Sequence, residues 1–219
     1  MTTESERFVQ RKTAMREYAN AHFLLIPVGF TVTYPGFGKP ARELLRVIQK
    51  HAGLRVTGKW NTEVHNLLFP PTMRERLVSV ETGEVGTKET PPDSNSGPRV
   101  HVYQSSTGAY GQPWCASFQK WSLEKVGCKN LSHASADVTT WMAYPHVTHE
   151  AVIPGDHVIY RWGVGDVDHI GMFDGWDVKG HTFYAIEGNT GVGNDANGGE
   201  VMRRLRTCDS TVAAFVRVL

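Results

Sequence analysis

Apolar residues recur at helical spacing through the first third of the chain. Phe8, Met15, Tyr18 and His22 stand among Glu, Arg and Lys over residues 4 to 24, which predicts an amphipathic helix with one buried face. Gly and Pro crowd residues 31 to 40, which predicts a loop. Pro40 then opens a second helix, with Leu44, Val47, Ile48 and His51 on one side and Gly53 as its stop. A third, short helix follows Asn61 or Thr62, either of which can cap it, and turns Val64, Leu67 and Leu68 inward. Pro70 and Pro71 lead into polar, charged sequence, so a boundary is expected there. The pattern gives a helical unit over 1–75, a linker over 76–84 and a second unit over 85–219.

The second unit changes period. Residues 85 to 98 carry loop chemistry throughout. Pro113 suits the first turn of a helix, where its missing N–H has no partner to lose; Trp114, Phe118 and Trp121 follow as an apolar stripe, with Gly127 as the stop. A Ser, His and Ala-rich connection holding Trp141 and Tyr144 leads to Pro154-Gly155-Asp156, which turns the chain into strands. Residues 156 to 161 are apolar and β-branched, and the segment Gly163 to Asp166 turns them back. The next run, 168 to 174, puts His169, Gly171 and Phe173 on one face, and 182 to 189 does the same with Phe183, Ala185, Glu187 and Asn189. Residues 201–206 and 212–219 form two closing strands. The expected fold class is α+β, a helix packed on an antiparallel sheet.

Composition narrows the partners. Lys+Arg 23 against Asp+Glu 22 leaves a net charge of +1, so no strong field draws the protein to nucleic acid or anionic lipid. Three widely spaced cysteines, Cys115, Cys128 and Cys208, match neither a disulfide scaffold nor a metal clip and point to thiols made in a reducing cytosol. The longest apolar run, Phe23 to Phe30, is far short of a membrane span and contains Pro27. Charges of both signs precede it and no small-residue cleavage site follows, so no signal peptide is expected. A target outside the membrane then requires another route of release.

Candidate chemistry centres on Cys115. A cysteine in the first turn of a helix meets unpaired N–H groups and the positive end of the macrodipole, which favour the nucleophilic thiolate; the competing expectation is a small buried hydrophobe. A thiol nucleophile needs a base, and the base needs a third polar group to fix its ring. His169 on one strand, with Glu187 and Asn189 on a neighbour about 4.8 Å away, supplies that set, provided the Cys115 helix packs its first turn against their face. His157 is a rival base. His146 and His149 lack a third ligand at useful spacing, so neither a metal nor another cofactor is expected. The glycine-rich stretch 188–199 precedes a strand instead of a helix, which argues for a mobile cleft rim over a phosphate cradle.

Two resemblances add to this. Pro113-Trp114-Cys115-Ala116-Ser117-Phe118, Gly155-Asp156, Asp168-His169-Ile170-Gly171 and Ile186-Glu187-Gly188-Asn189, spread over 85–219, resemble the motifs of the CHAP family of papain-like cysteine amidohydrolases and peptidases. That resemblance implies Cys115 as nucleophile, His169 as base and then acid, and Glu187 or Asn189 as the orienting group, Glu187 supplying charge and Asn189 supporting it. The Cys115 N–H, aided by the Gln112 side chain, would hold the oxyanion. Some members bind calcium on an acidic loop; only Asp166, Asp168 and Asp174 leave an opening for that here. Leu54, Val56, Gly58 and Trp60, within residues 36 to 70, resemble the signature of the three-helix peptidoglycan-binding domain, although the chain departs from it after Trp60, and Trp60 as plain core is the alternative. Together the two resemble a phage endolysin: a monomer made in the host cytoplasm that cuts bacterial peptidoglycan as an amidase or endopeptidase after release. An NlpC/P60-type stem-peptide endopeptidase and a non-catalytic wall-binding or phage structural protein are the alternatives.

Overall fold

A computed structural model describes residues 2–22, 24–27, 30–32, 36–193 and 195–219. It divides into two compact units, Met1–Pro71 and Thr72–Leu219. The apolar run over 23–30 and the expected loop over 31–40 fall partly outside the described residues. Among the described residues no helix is long and apolar enough to cross a membrane.

The first unit holds helices α1 (Glu4–Ala21), α2 (Lys39–His51) and α3 (Thr62–Leu68). A reciprocal Thr3–Glu6 capping box starts α1. Its buried residues are Lys12, Ala14, Met15 and Ala19, while Phe8 and Tyr18 are half-buried and His22 is exposed, so the apolar stripe is narrower than the spacing suggested. Leu44, Leu45 and Ile48 of α2 are fully buried, whereas His51 lies outside, against the rings of Tyr18 and His22. Asn61, not Thr62, caps α3, its Oδ1 accepting the Val64 N–H at 2.9 Å. The buried Gln49 side chain accepts the N–H groups of Thr57 and Gly58, which fixes the turn before Trp60.

The second unit joins helices α4 (Met73–Glu84), α5 (Pro98–Gln104) and α6 (Cys115–Lys125) and a short 3₁₀ helix (Val138–Ala143) to an antiparallel sheet. Its strands are β1 (His146–Val147), β2 (His157–Tyr160), β3 (His169–Val178), β4 (Thr182–Thr190), β5 (Glu200–Thr207) and β6 (Val212–Val216), in spatial order β1-β6-β2-β3-β4-β5. The fold is α+β. The expected linker over 76–84 is instead most of α4: Thr72 and Glu75 form a capping box, and Leu77 is fully buried in one apolar cluster with Trp114 and Phe118. Arg74 on this helix donates to Asp156 Oδ1 (2.9 Å) and to the carbonyls of Pro154 (3.1 Å) and Leu219 (3.0 Å), and Arg217 donates to both oxygens of the same carboxylate.

The two sheet faces have separate partners. Ile159, Ile170, Met172 and Ile186 pack with α6, whereas Val158, Tyr160, Phe173, Phe183, Ala185 and Phe215 form a second cluster. Helix and sheet approach closely at Gly188, where an added Cβ would stand 2.8 Å from the Phe118 Cβ and 2.9 Å from the Trp114 ring. Helix α6 starts at Cys115, two residues beyond Pro113, with Trp114 as N-cap and no side chain accepting from its first turn. Its first backbone bond runs from the Phe118 N–H to the Trp114 carbonyl, so the N–H groups of Cys115, Ala116 and Ser117 have no acceptor within the helix.

Candidate active site

The thiol is placed by its helix and by loops that brace the helix start. Trp114 donates from Nε1 to Glu89 Oε1 at 2.8 Å, and the other oxygen of Glu89 accepts the Ser94 N–H at 2.9 Å, so the segment 89–94 is pinned beside Cys115. The buried Gln104 amide donates to the carbonyls of Asn95 and Gln112, both at 2.9 Å, which holds the approach to the helix. Gln112 itself is exposed. Cys115 is buried, with 3% of its surface accessible.

His169 is the first residue of β3 and Glu187 lies on β4, both fully buried. Their face is not the one that receives α6, because Ile170, Met172 and Ile186 point to the helix and the alternation sends His169 and Glu187 the other way. The meeting occurs instead at the ends of the elements, where the first residue of α6 comes beside the first residue of β3. The Cys115 sulfur stands close enough to favour the charged form of the His169 ring, while neither ring nitrogen makes a hydrogen bond. His169 Nε2 is 3.2 Å from Glu187 Oε2, an ion-pair contact off the line of an aligned hydrogen bond. Burial, the largest effect, disfavours the charged ring, but Cys115 and Glu187 outweigh it and hold the His169 pKa up at about 9.

Glu187 is itself clamped. Its Oε1 accepts from the Tyr160 hydroxyl (3.0 Å) and Arg206 Nε (2.8 Å), and its Oε2 accepts from Arg206 Nη2 (2.5 Å). Burial pushes the carboxyl pKa up, yet the hydrogen bonds from Arg206 and the nearby His169 ring prevail and bring it down to about 2. Room for this carboxylate comes from Gly171 on β3, where a Cβ would lie 2.6 Å from Glu187 Cγ. The Trp162 ring stacks on His169 with centroids 4.9 Å apart, and the Arg206 guanidinium sits 4.9 Å from the same indole.

No protein-family model matches the chain, and no curated protein matches it. Among solved structures, the P60 domain from an antigen of M. avium subspecies paratuberculosis is similar, with a TM-score of 0.40 and 14% identity, covering 67% of this chain and 94% of that one.

The other candidates stand elsewhere. Asn189, buried near the end of β4 at φ +55°, turns its amide to Asn197 Oδ1 (3.0 Å) in the glycine-rich loop; of the two residues proposed to orient His169, Glu187 is the one with an ion-pair contact to its ring. His157 is fully buried against Trp141 (5.3 Å between centroids) with neither ring nitrogen hydrogen-bonded, and burial drives its pKa down to about 3. His146 meets the Met142 carbonyl and His149 pairs with Glu150. Asp168 accepts the N–H groups of Trp162 and Gly163, and Asp174 pairs with Arg203. Among the described residues no group of three or more His, Cys, Asp or Glu side chains is placed to hold a metal ion.

Sequence reasoning passed over Tyr160, Trp162, Asp195 and Arg206. Arg204 and Arg206 alternate with Leu205 on β5, and two arginines on one face of a strand paired to the strand of Glu187 were the available signal. Both reach Asp195 in the loop between β4 and β5, Arg204 Nη2 at 2.6 Å and Arg206 Nη1 at 3.0 Å.

Proposed function

We propose that this protein is a thiol hydrolase that cuts an amide bond of bacterial peptidoglycan, working as a monomer in the manner of a CHAP-type phage endolysin made in the host cytoplasm. The observation that carries the reading is the Cys115 sulfur at an uncapped helix start beside a histidine whose Nε2 faces a clamped carboxylate. The motif resemblance over 85–219 supplies the substrate class. The first unit, with its half-buried Trp60 stacked on Phe37, would hold the wall.

The chemistry runs in two halves. His169 takes the thiol proton and the thiolate attacks the amide carbonyl. The negative oxygen of the tetrahedral intermediate accepts from the Cys115 N–H, which has no acceptor inside the helix. The imidazolium gives its proton to the departing amine as the C–N bond breaks, leaving a thioester. His169 then takes a proton from water, the hydroxyl adds to the thioester carbonyl, and collapse returns the proton to sulfur and frees the acid. Through both halves Glu187 stays ionised, offsetting the charge on His169 and holding its ring.

Clearing of a cell-wall suspension tests the reading. The protein is expected to lower turbidity and Cys115→Ala to abolish this while its circular dichroism stays unchanged; clearing that survives the substitution overturns it. Mass spectrometry of the fragments separates the two bonds, since a free lactyl group on muramic acid marks an amidase and new peptide termini mark an endopeptidase.

A further inference from the structure

We infer that Arg206 is a positioning residue of this site, acting through Glu187 to keep that carboxylate ionised and aimed at His169. The inference rests on the proposed thiol chemistry but stands on its own geometry. Arg206 grips both oxygens of Glu187, its guanidinium is wedged by Trp162 and Tyr160, and its remaining nitrogen is tied to Asp195. A planar fork with every edge occupied has one orientation, and it passes that orientation to the carboxylate.

The ionisable groups around His169 come from four elements: Cys115 from α6, Glu187 from β4, Tyr160 from β2 and, behind Glu187, Arg206 from β5, with Asp195 on the neighbouring loop. Among them Arg206 is the permanent cation. A fully buried carboxyl deprived of it is driven by desolvation toward its neutral form. A neutral Glu187 no longer offsets the charge on imidazolium, so His169 then loses its proton at lower pH.

The measurement is the pH dependence of Cys115 alkylation by iodoacetamide, which needs no substrate, in the full chain carrying Cys128→Ser and Cys208→Ser. The parent is expected to titrate on the alkaline side near pH 9 through His169. Arg206→Met should move that limb to lower pH, and should lower kcat for wall clearing about 10- to 100-fold with little change in KM, the scale seen when a partner orienting a metal-bound histidine is removed. Glu187→Gln should produce the same shift, and adding Arg206→Met to it should produce no more. Arg206→Lys keeps the charge without the fork, so it should restore the limb and only part of kcat; it also serves if the Met variant does not fold. An unmoved limb in Arg206→Met, or an equal further shift in the Glu187→Gln background, overturns the inference. Absence of wall clearing by the parent, with the limb still responding to Arg206, removes the proposed function and leaves this role standing.

Discussion

Burial holds the Glu81 carboxyl in its neutral form, and replacing it gives a sharp test of how α4 meets α6. It is fully buried, accepts the Ser122 hydroxyl on Oε1 at 2.6 Å, and leaves Oε2 without a hydrogen bond. Burial raises its pKa from 4.5 to about 8, against the smaller opposing influence of the Ser122 bond and the nearby Gln119 amide. The sign follows from where the proton sits. The folded protein keeps it up to about pH 8 and the unfolded chain releases it near 4.5, so stability falls as pH rises through that window. Each pH unit inside the window costs about 1.4 kcal/mol, so the loss by pH 7 is about 3 kcal/mol. Glu81→Gln keeps the shape and removes the proton. Whatever the pH-independent cost of the amide, the stability difference between variant and parent should swing toward the variant by about 2 to 3 kcal/mol between pH 5 and pH 7. Urea unfolding followed by tryptophan fluorescence at a series of pH values reads this, because every tryptophan except Trp60 lies in the second unit. Stability curves of parent and variant that run parallel from pH 5 to 8 would refute the argument.

Three further outcomes are expected. Gly171→Ala puts a methyl group 2.6 Å from Glu187 Cγ and 3.1 Å from the Ile186 carbonyl, so wall clearing should fall at least tenfold while the far-ultraviolet spectrum is kept; full activity would show that the carboxylate need not sit there. The rate of wall clearing should decline on the alkaline side as His169 loses its proton near pH 9, and a profile flat to pH 10 would contradict the ion-paired site. Trp114→Phe leaves Glu89 without its indole donor, which should cost about 1 to 3 kcal/mol and lower Tm by several degrees in a thermal melt.

What was legible in the chain was local. Leu44 and Ile48 announce α2, the pair Asn61 and Thr62 announces the start of α3 without saying which of them caps it, and the alternation through His169, Gly171 and Phe173 announces β3, because each depends on neighbours a few residues away. Helix α4 was illegible since only Leu77 and Glu81 of its twelve residues are buried, and a helix with so narrow an apolar edge reads as solvated chain. The candidate site was half legible. Cys115, His169 and Glu187 carry their chemistry in their types, but which of Glu187 and Asn189 faces the ring depends on the backbone turning at Asn189, a positive φ that no period of two conveys. The face that receives α6 was misjudged for a related reason: alternation sorts side chains into two sets without saying which set the helix covers. Arg206 was invisible because its importance arises only from the pairing of β4 with β5.

Arg74 gives the second unit a single fastening. One guanidinium holds the strand entrance at Asp156 and the final carbonyl at Leu219 from a helix that opens the unit. Fraying of the last strand and detachment of the first helix therefore share one broken contact, and disturbance at either margin is felt at the other. The margins of the unit should exchange their amide hydrogens in concert, as one cooperative block.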